Sequence, residues 1–271
     1  MCRLLGFWAK HPRTLPAVMG TAWESFADLS RRHPDGWGLV WVDAQGQMHR
    51  VKEPVAAWNS PEFFRLTHTV RARAMMLHLR WASPGLAVSP GNTHPFLSED
   101  GAVAFMHNGG IDPLPQVWQA VPRSRDHPVE GNTDSEAYFR LWERHVSAGQ
   151  DPVAAIQAAI RQYQRPPFSY TGLNAYWMRA DRSYVVSEYH ESAPLARDDP
   201  DYYRLYVGRE PDLMVVASSG WAIPRTWRPM PNHAVMTIAG QDGEITAMTD
   251  VWSSQSGVVA GWPSHRVQPP R

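Results

Sequence analysis

Cysteine occurs once in this chain, at residue 2. A thiolate is a strong nucleophile, and removal of Met1, expected when the following side chain is small, would leave Cys2 as the chain terminus. Its freed α-amine, with an ordinary pKa of about 7.7–8.0, is then a base beside the sulfur. The plainer reading is an incidental cysteine near a chain end. Amide cleavage by a thiol also needs donors for a tetrahedral oxyanion. Asn108-Gly109, expected at the end of a strand over residues 102–107, offers a carboxamide N–H and a glycine N–H. His107-Asn108-Gly109-Gly110 is equally readable as a turn. Arg80, after an apolar strand and before Trp81-Ala82-Ser83, has the planar fork that suits an α-carboxylate, or a structural ion pair. Asp134 suits an α-ammonium, or a helix cap. His94, in a loop restricted by Pro95, is assigned to organising the pocket, not to the role of base.

These residues need elements to hold them. Apolar residues at three- and four-residue steps from Leu15 to Leu29 predict an amphipathic helix over 14–30. The runs 38–43 and 47–52 flank Ala44-Gln45-Gly46 and predict a hairpin. Further strands are expected at 72–81 and 102–107. A helix follows Asn132-Thr133-Asp134, capped by Thr133 or Asp134, and another covers 152–163 behind an Asp cap. Strands are expected at 172–179, 184–189, 203–207, 213–218, 234–238 and 244–248, with a surface loop at 191–200. The pattern predicts two layers of antiparallel strands sandwiched by helices, an α+β arrangement. One domain is expected over residues 1–255, with a loosely ordered tail from 256 to 271.

The 271 residues are 43% hydrophobic and 19% charged, which is the composition of a folded chain. Lys+Arg and Asp+Glu number 26 each, so no basic field points to nucleic acid or to an anionic membrane. No apolar run is long enough to span a bilayer, and 4–9 is too short for a signal-peptide core, so a cytoplasmic protein is expected. A lone cysteine excludes an intramolecular disulfide framework. The 12 His residues form no compact metal-ligand spacing, so neither metal nor cofactor is expected.

Six segments in this order resemble the class II glutamine amidotransferases of the N-terminal-nucleophile hydrolase superfamily. They are Met1-Cys2-Arg3-Leu4-Leu5-Gly6, Asp35-Gly36-Trp37-Gly38, His78-Leu79-Arg80-Trp81-Ala82-Ser83, Asn92-Thr93-His94-Pro95-Phe96, His107-Asn108-Gly109 and Asn132-Thr133-Asp134-Ser135-Glu136. The resemblance covers residues 2 to about 136 and is loose beyond them. It implies a four-layer αββα sandwich of two mainly antiparallel sheets, with Cys2 as nucleophile and Asn108 and Gly109 as the oxyanion hole. Arg80 and Asp134 would bind the substrate's carboxylate and ammonium, with Trp81, Ser83 and His94 lining the same pocket. Where many members have Thr-His after Arg-Trp-Ala, this chain has Ser83-Pro84, which keeps a hydroxyl and loses an imidazole. The chain resembles the short members, including the amidohydrolase of ergothioneine biosynthesis. The expected reaction is hydrolysis of glutamine or a small γ-glutamyl amide through a Cys2 thioester, with a separate synthase as a possible acceptor of ammonia. A hydrolase of larger γ-glutamyl conjugates and a non-catalytic glutamine-sensing or partner-binding subunit are the alternatives.

Overall fold

A computed structural model of the chain describes residues 2–121, 129–241 and 244–252. The first half runs β1 (Arg3–Arg13), α1 (Leu15–Met19), α2 (Trp23–Ala27), β2 (Trp37–Val42), β3 (Met48–Glu53), α3 (Pro61–Thr69), β4 (Ala72–Leu79), β5 (Phe96–Leu97) and β6 (Ala104–Asp112). Then come α4 (Leu114–Gln119), α5 (Asp134–Ser147), α6 (Pro152–Tyr163), β7 (Ser169–Met178), β8 (Arg182–Ser187), α7 (Pro194–Asp198), β9 (Leu205–Glu210), β10 (Leu213–Ser218), β11 (Arg228–Pro229), β12 (Ala234–Gln241) and β13 (Glu244–Val251). Seven strands form one antiparallel sheet in the order β11-β9-β10-β1-β4-β2-β3. Six form the other, β13-β12-β8-β7-β6-β5.

Side chains alternate across a strand, so each sheet must cover two faces. In β1, Leu5, Phe7 and Ala9 pack beneath α1–α3, while Leu4 and Trp8 enter the layer between the sheets. In β6, Phe105 packs under α5 and α6, while Ala104 and Met106 face the first sheet. Three apolar layers result, one under each helical layer and one between the sheets, which is the αββα sandwich. The helix-covered face of the second sheet is rich in rings. Phe105 stacks on Phe139 at 5.0 Å, and Tyr138 meets Trp177 edge-on at 5.5 Å. Burying each such side chain contributes about 1.5–3 kcal/mol.

Caps set the helices that matter most to the site. Thr133 Oγ1 accepts from Glu136 N at 3.1 Å and starts α5. The Glu136 carboxylate then takes the N–H groups of Glu130 and Gly131, each at 2.7 Å, and pins the preceding loop to the helix. Asp151 caps α6 through Val153 N, with Pro152 in the first turn. Two helices therefore begin where their capping residues predict.

Other expectations need correction. The helix expected over 14–30 breaks at Gly20, whose φ of 57° is left-handed, into α1, α2 and two short 3-10 turns. Strand β4 stops at Leu79, and β6 runs on through Asn108 and Gly109, which therefore lie inside a strand and not in a turn. Gly109 permits this: its φ is 155°, and any Cβ there would collide with the Gly172 carbonyl oxygen. The loop at 191–200 contains the short α7. Strand β1, central in its sheet, was not anticipated, because a strand buried on both faces reads as a continuous apolar run without alternation. The expected tail at 256–271 lies outside the described residues.

Two sequence motifs meet here. The backbone of His94 and Pro95 lies where a side chain on Gly38 would stand, and Thr93 crowds Gly36. Gly38→Ala would drive its methyl into the His94 carbonyl, so it is expected to lower unfolding stability by about 1–3 kcal/mol in urea titration. An unchanged midpoint would show that the loop yields freely.

Candidate active site

Antiparallel pairing of β1 with β4 sets Arg3 against Leu79, so the next pair outward brings Cys2 opposite Arg80. The alternation that sends Leu4, Met76 and Met106 between the sheets continues to Cys2, to His78 and Arg80, and to Asn108. One end of this apolar layer is therefore polar. Cys2 is buried, and its thiol lies 3.8 Å from the Trp81 carbonyl oxygen as donor. On the far side, Ser218 Oγ accepts from Leu4 N at 2.9 Å. The Arg3 guanidinium bonds the Cys2 carbonyl at 3.2 Å and lies 4.3 Å over the Tyr202 ring.

Arg80 is buried and held by backbone. Its Nη1 donates to the Asp35 carbonyl at 3.3 Å and its Nη2 to the Ala87 carbonyl at 3.1 Å. The Asp35 carboxylate accepts from Ala82 N, and Asn92 Nδ2 reaches Ala87 O and Asn132 Oδ1. Asn132 N returns a bond to Asn92 Oδ1 at 2.9 Å, closing a ring of loops around the arginine. No carboxylate is bonded to Arg80 among the described residues, so its fork keeps donors in reserve.

Asn108 is fully buried, and neither its Nδ2 nor its Oδ1 has a hydrogen-bond partner among the described residues. A buried unpaired carboxamide costs about 1–3 kcal/mol per orphaned group, so its position between the sheets calls for a polar ligand. Asp134, in the first turn of α5, accepts from Ile111 N on β6 at 2.9 Å. The cap itself is Thr133. His107, beside Asn108, bonds Ser135 Oγ and the Gly172 carbonyl and ties β6 to α5 and β7. His94 stacks on His78 at 4.2 Å, and Trp81 keeps an exposed indole edge-on to His33. Ser83 is half-buried farther along that loop, where its carbonyl accepts from Leu86 N. No hydrogen bond among the described residues joins its hydroxyl to Cys2, Asn108 or Asp134.

Residues 1–169 match the family of class-II glutamine amidotransferases. The chain belongs to that family. Over 121 residues it is 28% identical to the gamma-glutamyl-hercynylcysteine sulfoxide hydrolase of Mycolicibacterium smegmatis, covering 41% of this chain and 52% of that one. Over 251 residues it is 24% identical to the glutamine–fructose-6-phosphate aminotransferase of Chlorobaculum tepidum, covering 92% of this chain and 36% of that one. The chain thus spans about half the length of the hydrolase and a much smaller part of the aminotransferase. A glutamine aminotransferase class-II domain protein from Silicibacter pomeroyi superposes with a TM-score of 0.63 at 20% identity, covering 91% and 98% of the two chains. The glutamine phosphoribosylpyrophosphate amidotransferase of B. subtilis gives 0.59 at 19%, covering 91% and 48%. Both structures share the αββα fold of the amidotransferases.

Sequence reading missed the second-half residues that pack around the N-terminal end of β1. Ser218 and Tyr202 have no local signature, since one reaches β1 through sheet pairing and the other, from the turn before β9, through its ring under Arg3. Asp35 and Asn92 sat in motifs already singled out, and their polar side chains beside glycine and proline were the available signal.

Electrostatics separate the two charged groups. Burial pushes the Cys2 thiol up, Arg80 opposes that shift, and Asp134 raises it further. Both charges therefore reach the sulfur. Burial also pushes Asp134 up to about 6, against backbone bonds from Ile111 and Ser135 that favour the carboxylate. A folded pKa above the ordinary 3.8 means that stability present below pH 4 is lost as pH rises through 6. Asp134→Asn keeps an acceptor for Ile111 N and removes the charge. It is expected to be more stable than the parent above pH 7 by on the order of 2–3 kcal/mol, with the advantage shrinking toward pH 4. Thermal unfolding across pH 4–8 reads this, and a less stable variant at pH 8 would mean the carboxylate is already paired.

Proposed function

We propose that the chain hydrolyses the γ-glutamyl amide of glutamine, or of a small γ-glutamyl compound, through a thioester on Cys2. The observation that carries this reading is the unpartnered Asn108 carboxamide, buried in the polar end of the inter-sheet layer that also takes Cys2 and Arg80. Membership of the class-II amidotransferases and the name of the Mycolicibacterium relative support the γ-glutamyl class.

In this mechanism Arg80 binds the substrate α-carboxylate with its spare donors, and Asp134 takes the α-ammonium, whose charge replaces the partner the buried carboxylate lacks. Once residue 1 is cleaved, the Cys2 α-amine accepts the thiol proton as sulfur attacks the γ-carbonyl. The raised thiol pKa makes that base necessary, since the sulfur rests protonated. Asn108 Nδ2 and the Gly109 N–H hold the oxyanion. Collapse breaks the C–N bond, and the nitrogen leaves as ammonia or an amine with the proton from the α-ammonium. Water, deprotonated by the same amine, then cleaves the thioester to glutamate and restores the thiol. His94 shapes the pocket wall. Ammonia from glutamine would pass to water or to a separate synthase.

A second reading, hydrolysis of a larger γ-glutamyl conjugate, is favoured by the exposed Trp81 indole, which follows Arg80 directly and leaves an aromatic face beside the site.

Cys2→Ala is expected to abolish glutamate release from purified, Met1-processed protein, and Asn108→Ala to lower kcat roughly 100- to 1000-fold with little change in KM. Parent-like turnover by Cys2→Ala overturns the mechanism. Because Asp134 gains its proton below about pH 6, KM should rise as pH falls through that value, and this dependence should vanish in Asp134→Asn. Comparing ammonia release from glutamine with glutamate release from bulkier γ-glutamyl amides separates the two substrate readings.

A further inference from the structure

We infer that His78 is a positioning residue for the oxyanion hole, clipping the sheet that carries Cys2 to the strand that carries Asn108. The inference rests on the role proposed above for Asn108 and concerns what holds that residue in place.

His78 is fully buried near the end of β4, where its cross-strand neighbours are Leu4 on β1 and Gly38 on β2. By alternation its side chain enters the inter-sheet layer, and its Nε2 donates to the His107 carbonyl at 3.2 Å. The acceptor belongs to the peptide unit that joins His107 to Asn108. The two sheets meet in this region through apolar side chains, which pack well and carry little directional information. A hydrogen bond to the peptide before Asn108 has direction, so it sets both the height and the tilt of that backbone relative to β4.

The other face of the imidazole is also held. Gly38 leaves room for the His94–Pro95 backbone, and the His94 ring lies on His78 at 4.2 Å with an angle of 29° between the planes. Phe96 closes on His94 edge-on at 4.7 Å. The Asp35-Gly36-Trp37-Gly38 and Asn92-Thr93-His94-Pro95-Phe96 motifs thereby gain a joint task beyond framing Arg80: they seat the ring that keeps His78 aimed. Burial holds His78 down to about 3, so the neutral imidazole is the working form, and its Nε2–H requires the proton on that nitrogen. Nδ1 has no partner among the described residues, which leaves the carbonyl bond as the ring's one polar anchor there.

The distinguishing experiment uses full-length processed protein and γ-glutamyl-p-nitroanilide as substrate. His78→Leu and His78→Asn remove the reach to the His107 carbonyl, whereas His78→Gln keeps a donor at the same length. Leu and Asn variants are expected to lose roughly 10- to 100-fold in kcat with KM within about two-fold, and Gln to recover most of the loss, because misplacing an oxyanion donor acts on the transition state alone. Alkylation of Cys2 by iodoacetamide forms a C–S bond as iodide leaves and passes through no oxyanion, so its rate should be unchanged in all three. Equal loss of alkylation, or a Gln variant as slow as Asn, overturns the inference, as does an unchanged kcat in the Asn variant. Cys2→Ala, run alongside, separates the two levels. If it retains hydrolysis, the Cys2 mechanism itself falls; if it is inert while His78→Asn is unimpaired, only the role of His78 falls.

Discussion

Two-residue alternation across strands that are buried on both faces is the constraint from which the rest of this structure follows. Once Leu5, Phe7, Met75 and Leu77 are committed to the layer under the helices, their neighbours Leu4, Met76 and His78 have no choice but to enter the space between the sheets. Apolar side chains fill most of that space. Its one polar end collects Cys2, Arg80, His78 and Asn108, because each continues the parity of its strand. A one-residue slip of β1 against β4 would send Cys2 to the helix-covered face and empty the site.

Polar groups in such a layer are expensive, and the structure shows where the expense is left uncompensated. Arg80 is satisfied in part by the Asp35 and Ala87 carbonyls, and Glu136 fully by the N–H groups of Glu130 and Gly131 and by Arg140. Asn108 and Asp134 are not treated so well: one has two orphaned amide atoms, the other a carboxyl whose pKa is raised by burial. Nδ1 of His78 and both ring nitrogens of His94 are unpartnered as well, so several polar groups around Asn108 keep bonds that folding leaves open.

The loops around the arginine owe their shape to close backbone approach. Gly91 and Gly131 lie against each other's loops where a Cβ would strike Glu130 and Asn92, and the paired amides of Asn92 and Asn132 lock the contact. Lys52 and Arg50 on β3 add a second tie through Glu130. Segments some 40 residues apart in the chain are thus bound to each other before they meet any substrate.

Much of this was legible from residue types alone. Thr133 and Asp151 announced α5 and α6 because capping is a local matter of one side chain and the next few N–H groups. The 213–218 strand matched to the residue, and Asn108, Arg80 and Asp134 stood out as candidates by what their functional groups can bind. Composition and spacing therefore determined the inventory: which chemistry is possible, where α5 and α6 start, and that the chain folds into sheets under helices. Only the tertiary structure decided that β1 is central, that Asn108 stands inside a strand, that Cys2 faces Arg80, and that His78 bonds the His107 backbone. Those facts depend on which strand pairs with which and on what lies across the layer, partners between 29 and 214 residues distant in the chain. A local window carries the period of a strand but not the identity of its neighbour, and register is settled only when the whole layer is packed.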